Sequence, residues 1–127
     1  MNKLEIKTNK KVIEIQNGDK NIDILVIIIK FLGKHILKNG GCITTFLVGD
    51  ETGSINCNFF DNVSKFIKEG DILFITGAYS SLFKNHIFLY QPKIGFGLIS
   101  KINEFFFQFS SKPNISEKEI NPQNNNI

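Results

Sequence analysis

Asp50-Glu51-Thr52-Gly53-Ser54-Ile55-Asn56-Cys57-Asn58-Phe59-Phe60-Asp61 is the stretch that decides the fold. Asp50 to Gly53 supply the chemistry of a tight turn, with Gly53 free to take positive φ. From there the residues alternate. Ile55, Cys57 and Phe59 fall on one side of a strand, and Ser54, Asn56, Asn58 and Phe60 fall on the other. The first side is what a core takes. The second is polar until it ends in an aromatic ring, which suits a surface on which flat ligands stack.

Working outward, residues 22–32 read as a long strand, apolar on both sides through 24–29, and Gly33 marks a bulge or bend. Residues 34–38 run into Asn39-Gly40-Gly41, a hairpin signal, and residues 42–48 return as a β-branched strand. Downstream, residues 61–68 read as a short helix. Val63, Phe66 and Ile67 share its buried side, Asp61 caps its start and Gly70 ends it. Residues 71–79 form a fourth strand, in which strict alternation would bury Tyr79 with Leu73 and Ile75; a bulge at Gly77-Ala78 turns it outward. Residues 80–85 read as a loop. Residues 86–91 then form a fifth strand with Ile87 and Leu89 on one side and Phe88 and Tyr90 on the other, ended by Pro92. Phe105, Phe107 and Phe109 alternate through a last strand that closes or covers the sheet.

This order predicts an all-β chain: a five- to six-stranded OB-fold Greek-key barrel with one short helix between strands 3 and 4. An SH3-like barrel is the alternative, and it does not predict that helix. The expected domain boundaries are an N-terminal extension over 1–16, the nucleic-acid-binding barrel over 17–112, and a flexible C-terminal tail over 113–127 that meets a partner at its start. Within the extension, Val12, Ile13 and Ile15 either add a short strand or lie across the barrel end.

The bulk numbers fit one domain of 127 residues, 42% hydrophobic and 21% charged. All 15 basic residues are Lys, and 13 Phe accompany no Trp. A net charge of +3 suits a polyanionic partner. Cys42, Cys57, His35 and His86 show no zinc spacing, so reduced thiols and no metal are expected. The N-terminus lacks an apolar signal region and the aliphatic run 24–29 is too short to span a bilayer; a soluble intracellular chain follows, with no membrane partner. There is neither a phosphate loop of Walker type nor a nucleophile elbow, so the reading is a binding protein and not an enzyme, with no cofactor and no small-molecule substrate.

What the chain offers is rings beside ammonium groups. Phe60, Tyr79, Phe83 and Tyr90 are the candidate stacking residues, and Lys34, Lys38, Lys84 and Lys93 the candidate phosphate contacts. Each base–ring stack contributes roughly 1–3 kcal/mol, and Lys–phosphate pairing makes affinity fall with salt. Neither part needs a given base sequence. Single-stranded DNA and single-stranded RNA both remain open here, because no residue tests for a 2′-hydroxyl. An OB-fold assembly subunit acting mainly through protein contacts is a further reading, motivated by the Phe-rich last strand.

Asp-Glu-Thr-Gly-Ser-Ile-Asn (50–56), Gly-Asp-Ile (70–72), Gly-Ala-Tyr-Ser-Ser-Leu-Phe-Lys (77–84), Leu-Tyr (89–90), Lys-Ile-Asn-Glu-Phe (101–105) and Pro-Asn-Ile-Ser-Glu (113–117) together resemble the SOSS-B family, the DNA-binding component of the SOSS complex. These are small eukaryotic single-stranded DNA-binding proteins with one OB-fold. The resemblance runs from about Ile15 to Glu117. It implies single-stranded DNA binding in the nucleus, in the DNA damage response and double-strand break repair. It also implies that Phe60, Tyr79, Phe83 and Tyr90 stack on bases and that Lys93 lies close to the DNA. By the same resemblance, Glu104 and Phe105 contact the scaffold subunit of a SOSS-like complex, an Integrator subunit 3-like protein. Two departures stand out. Phe60 replaces the family's usual Trp, offering a smaller ring, and every ionic contact falls to Lys, which lacks the bidentate geometry of Arg. The Pro-, Gly- and Ser-rich tail typical of animal members is not part of this sequence.

Overall fold

Ile22, Ile24, Val26 and Ile28 are buried while Asp23, Leu25, Ile27 and Ile29 between them are half-buried, so the first strand is covered on both sides. The computed structural model describes residues 6–92, 99–102 and 109–120. Its first strand, β1, runs Ile22–Ile36, straight through Gly33 and four residues past the expected end. Register shifts between Ile28 and Lys30 and between Phe31 and Gly33 bend it. The bend lets one strand serve two neighbours, as closing a small barrel requires. Its first half pairs with β4 (Ile72–Phe83) and its second half with β2 (Cys42–Asp50).

β3 (Gly53–Phe60) pairs antiparallel with β2, and β5 (His86–Tyr90) pairs antiparallel with β4. The ring closes where β3 meets β5 in parallel, through Cys57↔Leu89 and Asn58↔Tyr90. A sixth strand, β6 (Ile99–Ile102), lies along the first half of β4. The order β1-β2-β3-β5-β4, with β1 returning to β4, is the expected Greek-key barrel. Its core holds Ile55, Cys57 and Phe59, all fully buried, against Ile24, Val48, Leu73, Ile75 and Leu89. Cys42 and Cys57 are both free thiols.

Several local expectations change. The helix after β3 is a 3-10 helix over Asp61–Phe66, with Phe60 and not Asp61 at the N-cap position. The backbone is already extended at Ile67, which swings Ile67 into the core and leaves Phe66 71% exposed. Gly70 (φ +95) therefore ends the loop before β4 and not the helix. The expected loop over 80–85 shrinks to a two-residue turn: β4 runs on to Phe83, and Lys84 and Asn85 both take positive φ (51° and 69°), the pattern of a type I′ hairpin. β6 has no counterpart among the expected strands. The expected strand around Phe105 and Phe107 lies outside the described residues, while Phe109 is exposed and outside any strand.

Both expected domain boundaries cut through packed structure. Val12 begins a 3-10 helix (Val12–Glu14), and Val12 and Ile15 are buried in the barrel core. The Val12 N–H donates to the buried carboxylate of Asp50 (2.9 Å), and Ile13 N–H donates to Thr52 Oγ1 (3.0 Å). At the other end, residues 113–120 are no free tail. β3 shares only two register positions with β5, so the amides along the rest of that edge need other acceptors. Pro113 O takes the Ser54 N–H (2.9 Å) and Ser116 Oγ takes the Asn56 N–H (2.8 Å). Ser116 is itself buried and donates to Ile87 O (2.6 Å), and Ile120 N–H reaches Asn85 O (2.6 Å). The turn glycine fits this strap closely. Gly53 sits at φ +154, and a Cβ there would stand 2.7 Å from Pro113 O.

Candidate nucleic-acid interface

The outer side of β3 carries Ser54, Asn56, Asn58 and Phe60, as alternation requires, yet only one end of it is open. The C-terminal strap covers Ser54, which is fully buried, and ties down Asn56; Asn58 is nearly buried and accepts from Thr45 Oγ1. What remains is Phe60, half-exposed at the strand end. Gln91 sets its position. The Phe60 N–H donates to Gln91 Oε1 (2.6 Å) and the Gln91 N–H donates to Asn58 O (3.1 Å), so the end of β5 is clamped to the end of β3. Nothing in the strand pattern singles out Gln91 for this part.

That clamp lines up three rings. Tyr90 stacks beside Phe60 with centroids 6.4 Å apart and planes at 23°. Tyr79 stands directly across from Tyr90 in the β4–β5 ladder, 5.1 Å away at 8°. Tyr79 points outward because the chain bulges where expected: Gly77 takes φ +74, the β1–β4 register shifts, Ala78 turns into the core and Tyr79 out of it. Burial raises the pKa of both phenols, and at Tyr90 a hydrogen bond to Asn58 pulls weakly the other way. Two neutral phenols and a phenyl ring form an uncharged row of near-parallel rings that runs across β3, β5 and β4.

Phe83 is not part of this row. It lies on the same side of β4 four residues on, about 13 Å along the strand, edge-to-face with Phe88 (5.4 Å, 79°). It is 47% exposed, and Lys84 Nζ sits 5.4 Å from its centroid. Phe83 and Lys84 thus form a second platform at the hairpin turn. Lys34 and Lys38 are exposed on the overhanging β1–β2 hairpin. The ladder puts Lys34 across from Thr44 and so on the Phe59 side of the sheet, not the Phe60 side. Its neighbour His35, opposite Ile43 and in line with Phe60, is the β1 residue on the ring side. A one-residue step decides which side a side chain serves, and the bulges in β1 hide that step from the sequence. Lys93, Glu104 and Phe105 lie outside the described residues.

Among the described residues no three of His, Cys, Asp and Glu converge as metal ligands. The Cys57 thiol is fully buried, and its pKa is pushed strongly upward by that burial. Also among the described residues, no helix is long and apolar enough to cross a membrane.

No family model matches the chain. Solved structures do share its architecture. The solution structure of a hypothetical protein from Arabidopsis thaliana superposes with a TM-score of 0.71 at 19% identity, covering 95% of this chain and 91% of that one. The second OB-fold domain of replication protein A from Methanococcus maripaludis superposes with a TM-score of 0.58 at 20% identity, covering 76% of this chain and 97% of that one. The chain is an OB-fold. At these identities the likeness carries the fold and nothing finer.

Proposed function

We propose that this chain binds single-stranded DNA with little dependence on base sequence, and that it does so as a binding protein without a chemical step. The observation that carries the reading is the row Phe60–Tyr90–Tyr79, three near-parallel rings on the open part of the barrel face. OB-folds commonly use the face of strands 2 and 3 and the flanking loops for oligonucleotides. Every base has a π-face, so a ring track accepts any sequence, and the net charge of +3 favours a phosphate backbone. One of the solved structures sharing the barrel is a domain of replication protein A, which fits the same reading.

The motif set that resembles the SOSS-B family extends the proposal. On that reading the chain works in the nucleus, in the DNA damage response and double-strand break repair, and joins an Integrator subunit 3-like scaffold through the segment around Glu104 and Phe105. Pull-down from nuclear extract treated with nuclease tests the scaffold part; loss of every protein partner on nuclease treatment contradicts it.

Fluorescence anisotropy of a labelled oligo-dT at two salt concentrations tests the binding itself. Saturable binding that weakens with salt is expected, with a slope of log affinity on log salt of about −0.7 per phosphate contacted. No binding at low salt, or affinity indifferent to salt, contradicts the reading. Competition by matched RNA separates the two nucleic acids: RNA competing as well as DNA makes this a general single-strand binder.

A further inference from the structure

The ring row stops at Tyr79, and beyond it lies a cleft of about 430 Å³ lined by Gly18, Lys20, Asn21, Gly77, Tyr79 and Ser81. That volume lies in the range of about 300–1,000 Å³ typical of small-molecule sites. The chain curls around it, with Gly18, Asn21 and Gly77 all at positive φ (87°, 54° and 74°). Its walls are pinned. Gly18 N–H donates to Ser80 O (3.3 Å), Ser80 N–H to Asp19 O (2.9 Å), Asp19 N–H to Ser80 Oγ (3.0 Å) and Gly77 N–H to Asp23 Oδ1 (3.0 Å). These bonds tie the segment before β1, and the start of β1 itself, to β4, so the cleft is built into the barrel wall.

Of the two carboxylates beside the cleft, Asp19 pairs with Lys10 (3.3 Å) and Asp23 accepts the Gly77 amide. Among the described residues no carboxylate pairs with Lys20. The Asn21 carbonyl accepts from Asn9 Nδ2 (2.9 Å), which holds the left-handed residue in the wall of the cleft. The cleft therefore offers a ring wall, a hydroxyl, an amide and an exposed ammonium group. That set matches a nucleotide with its phosphate, not an apolar ligand.

We propose that this cleft holds the terminal nucleotide of the bound strand, the base against Tyr79 and Ser81 and the phosphate at Lys20, with Asn21 hydrogen-bonding the base edge. The proposal rests on the single-strand reading above and adds an end to the track. Stacking along Phe60, Tyr90 and Tyr79 is tolerant of sequence and of direction. A walled, polar end seat is not, so the strand enters in one polarity and the end position discriminates between a base and an abasic site.

The test measures affinity for an oligo-dT ladder, each length with and without an abasic residue at its 5′ or 3′ end. The wild type is compared with Lys20→Met and with Asn21→Gly, which keeps the left-handed backbone. The expected result is a gain of about tenfold from a base at one end only, the size of one base–ring stack. Asn21→Gly loses that gain, Lys20→Met weakens only strands long enough to reach the cleft, with a base or without one at the end, and both variants keep wild-type affinity for the shorter strands. Equal weakening at every length makes Lys20 a general phosphate contact and overturns the end seat, as does no effect at any length. Thymidine monophosphate binding as tightly as the oligonucleotide also overturns it, since the cleft would then serve a free nucleotide. Failure of the single-strand reading looks different, because the wild type itself binds no oligonucleotide.

Discussion

Phe59 and Phe60 are adjacent and chemically identical, yet the strand sends one into the core and the other to the ring row. Phe59→Ala should cost about 3–5 kcal/mol of stability, read from denaturant unfolding, because it leaves a cavity in a packed interior. Phe60→Ala should unfold near the wild-type midpoint while weakening oligo-dT binding roughly tenfold, one stack's worth. Phe60→Trp should strengthen binding by enlarging the ring. If Phe60→Ala costs as much stability as Phe59→Ala, Phe60 belongs to the core and the track loses its first ring. Simple alternation makes this pair legible in the sequence. The Lys34–His35 pair is not, because two bulges in β1 shift which residue faces the rings. Phe66 defies the sequence for a related reason: the helix unwinds one residue before Ile67, so a helical spacing rule fails at its last turn.

At the scale of elements, the barrel strands announce themselves by apolar periodicity and turn residues, while the strap over 109–120 does not. From residue 113 its composition of Asn, Ser, Glu and Lys reads as mobile because it is held by backbone hydrogen bonds, one buried Ser116 hydroxyl and only two isoleucines packed on the core, Ile115 and Ile120, too few to set a periodic pattern. The same holds for the turn at Lys84-Asn85, whose positive φ values lack the usual Asn-Gly signal. Gly53→Ala should destabilise the fold by about 1–3 kcal/mol, since its Cβ meets Pro113 O and its φ is strained. Hydrogen exchange at the Ser54 and Asn56 amides should speed up together in that variant. Unchanged protection there would mean that the strap does not hold the β3 edge.

For the whole molecule, pH acts through buried acids whose folded pKa values are raised. Burial holds the Cys57 thiol protonated well above its ordinary 9.0, and burial raises Tyr79 and Tyr90 above 10.0. The folded chain then keeps protons that the unfolded chain releases. Stability is therefore intact below about pH 9 and falls as pH rises beyond it, by about 1.4 kcal/mol per pH unit for each proton retained. Cys57→Ala should be less stable than wild type at pH 7 yet show a flatter decline between pH 9 and 10. An equally steep decline in that variant would mean that Cys57 is not its source.

Tyr79 and Tyr90 are the only two Tyr in the chain, and it contains no Trp, so intrinsic tyrosine emission reports the ring row and nothing else. Titration with oligo-dT, followed by that emission at low and at high salt, tests the stacking track most directly. A stacking track predicts saturable quenching that weakens with salt and falls by about half in Tyr90→Phe, as expected if both rings are stacked on bases. Oligonucleotide binding by anisotropy with the tyrosine emission unchanged would contradict it.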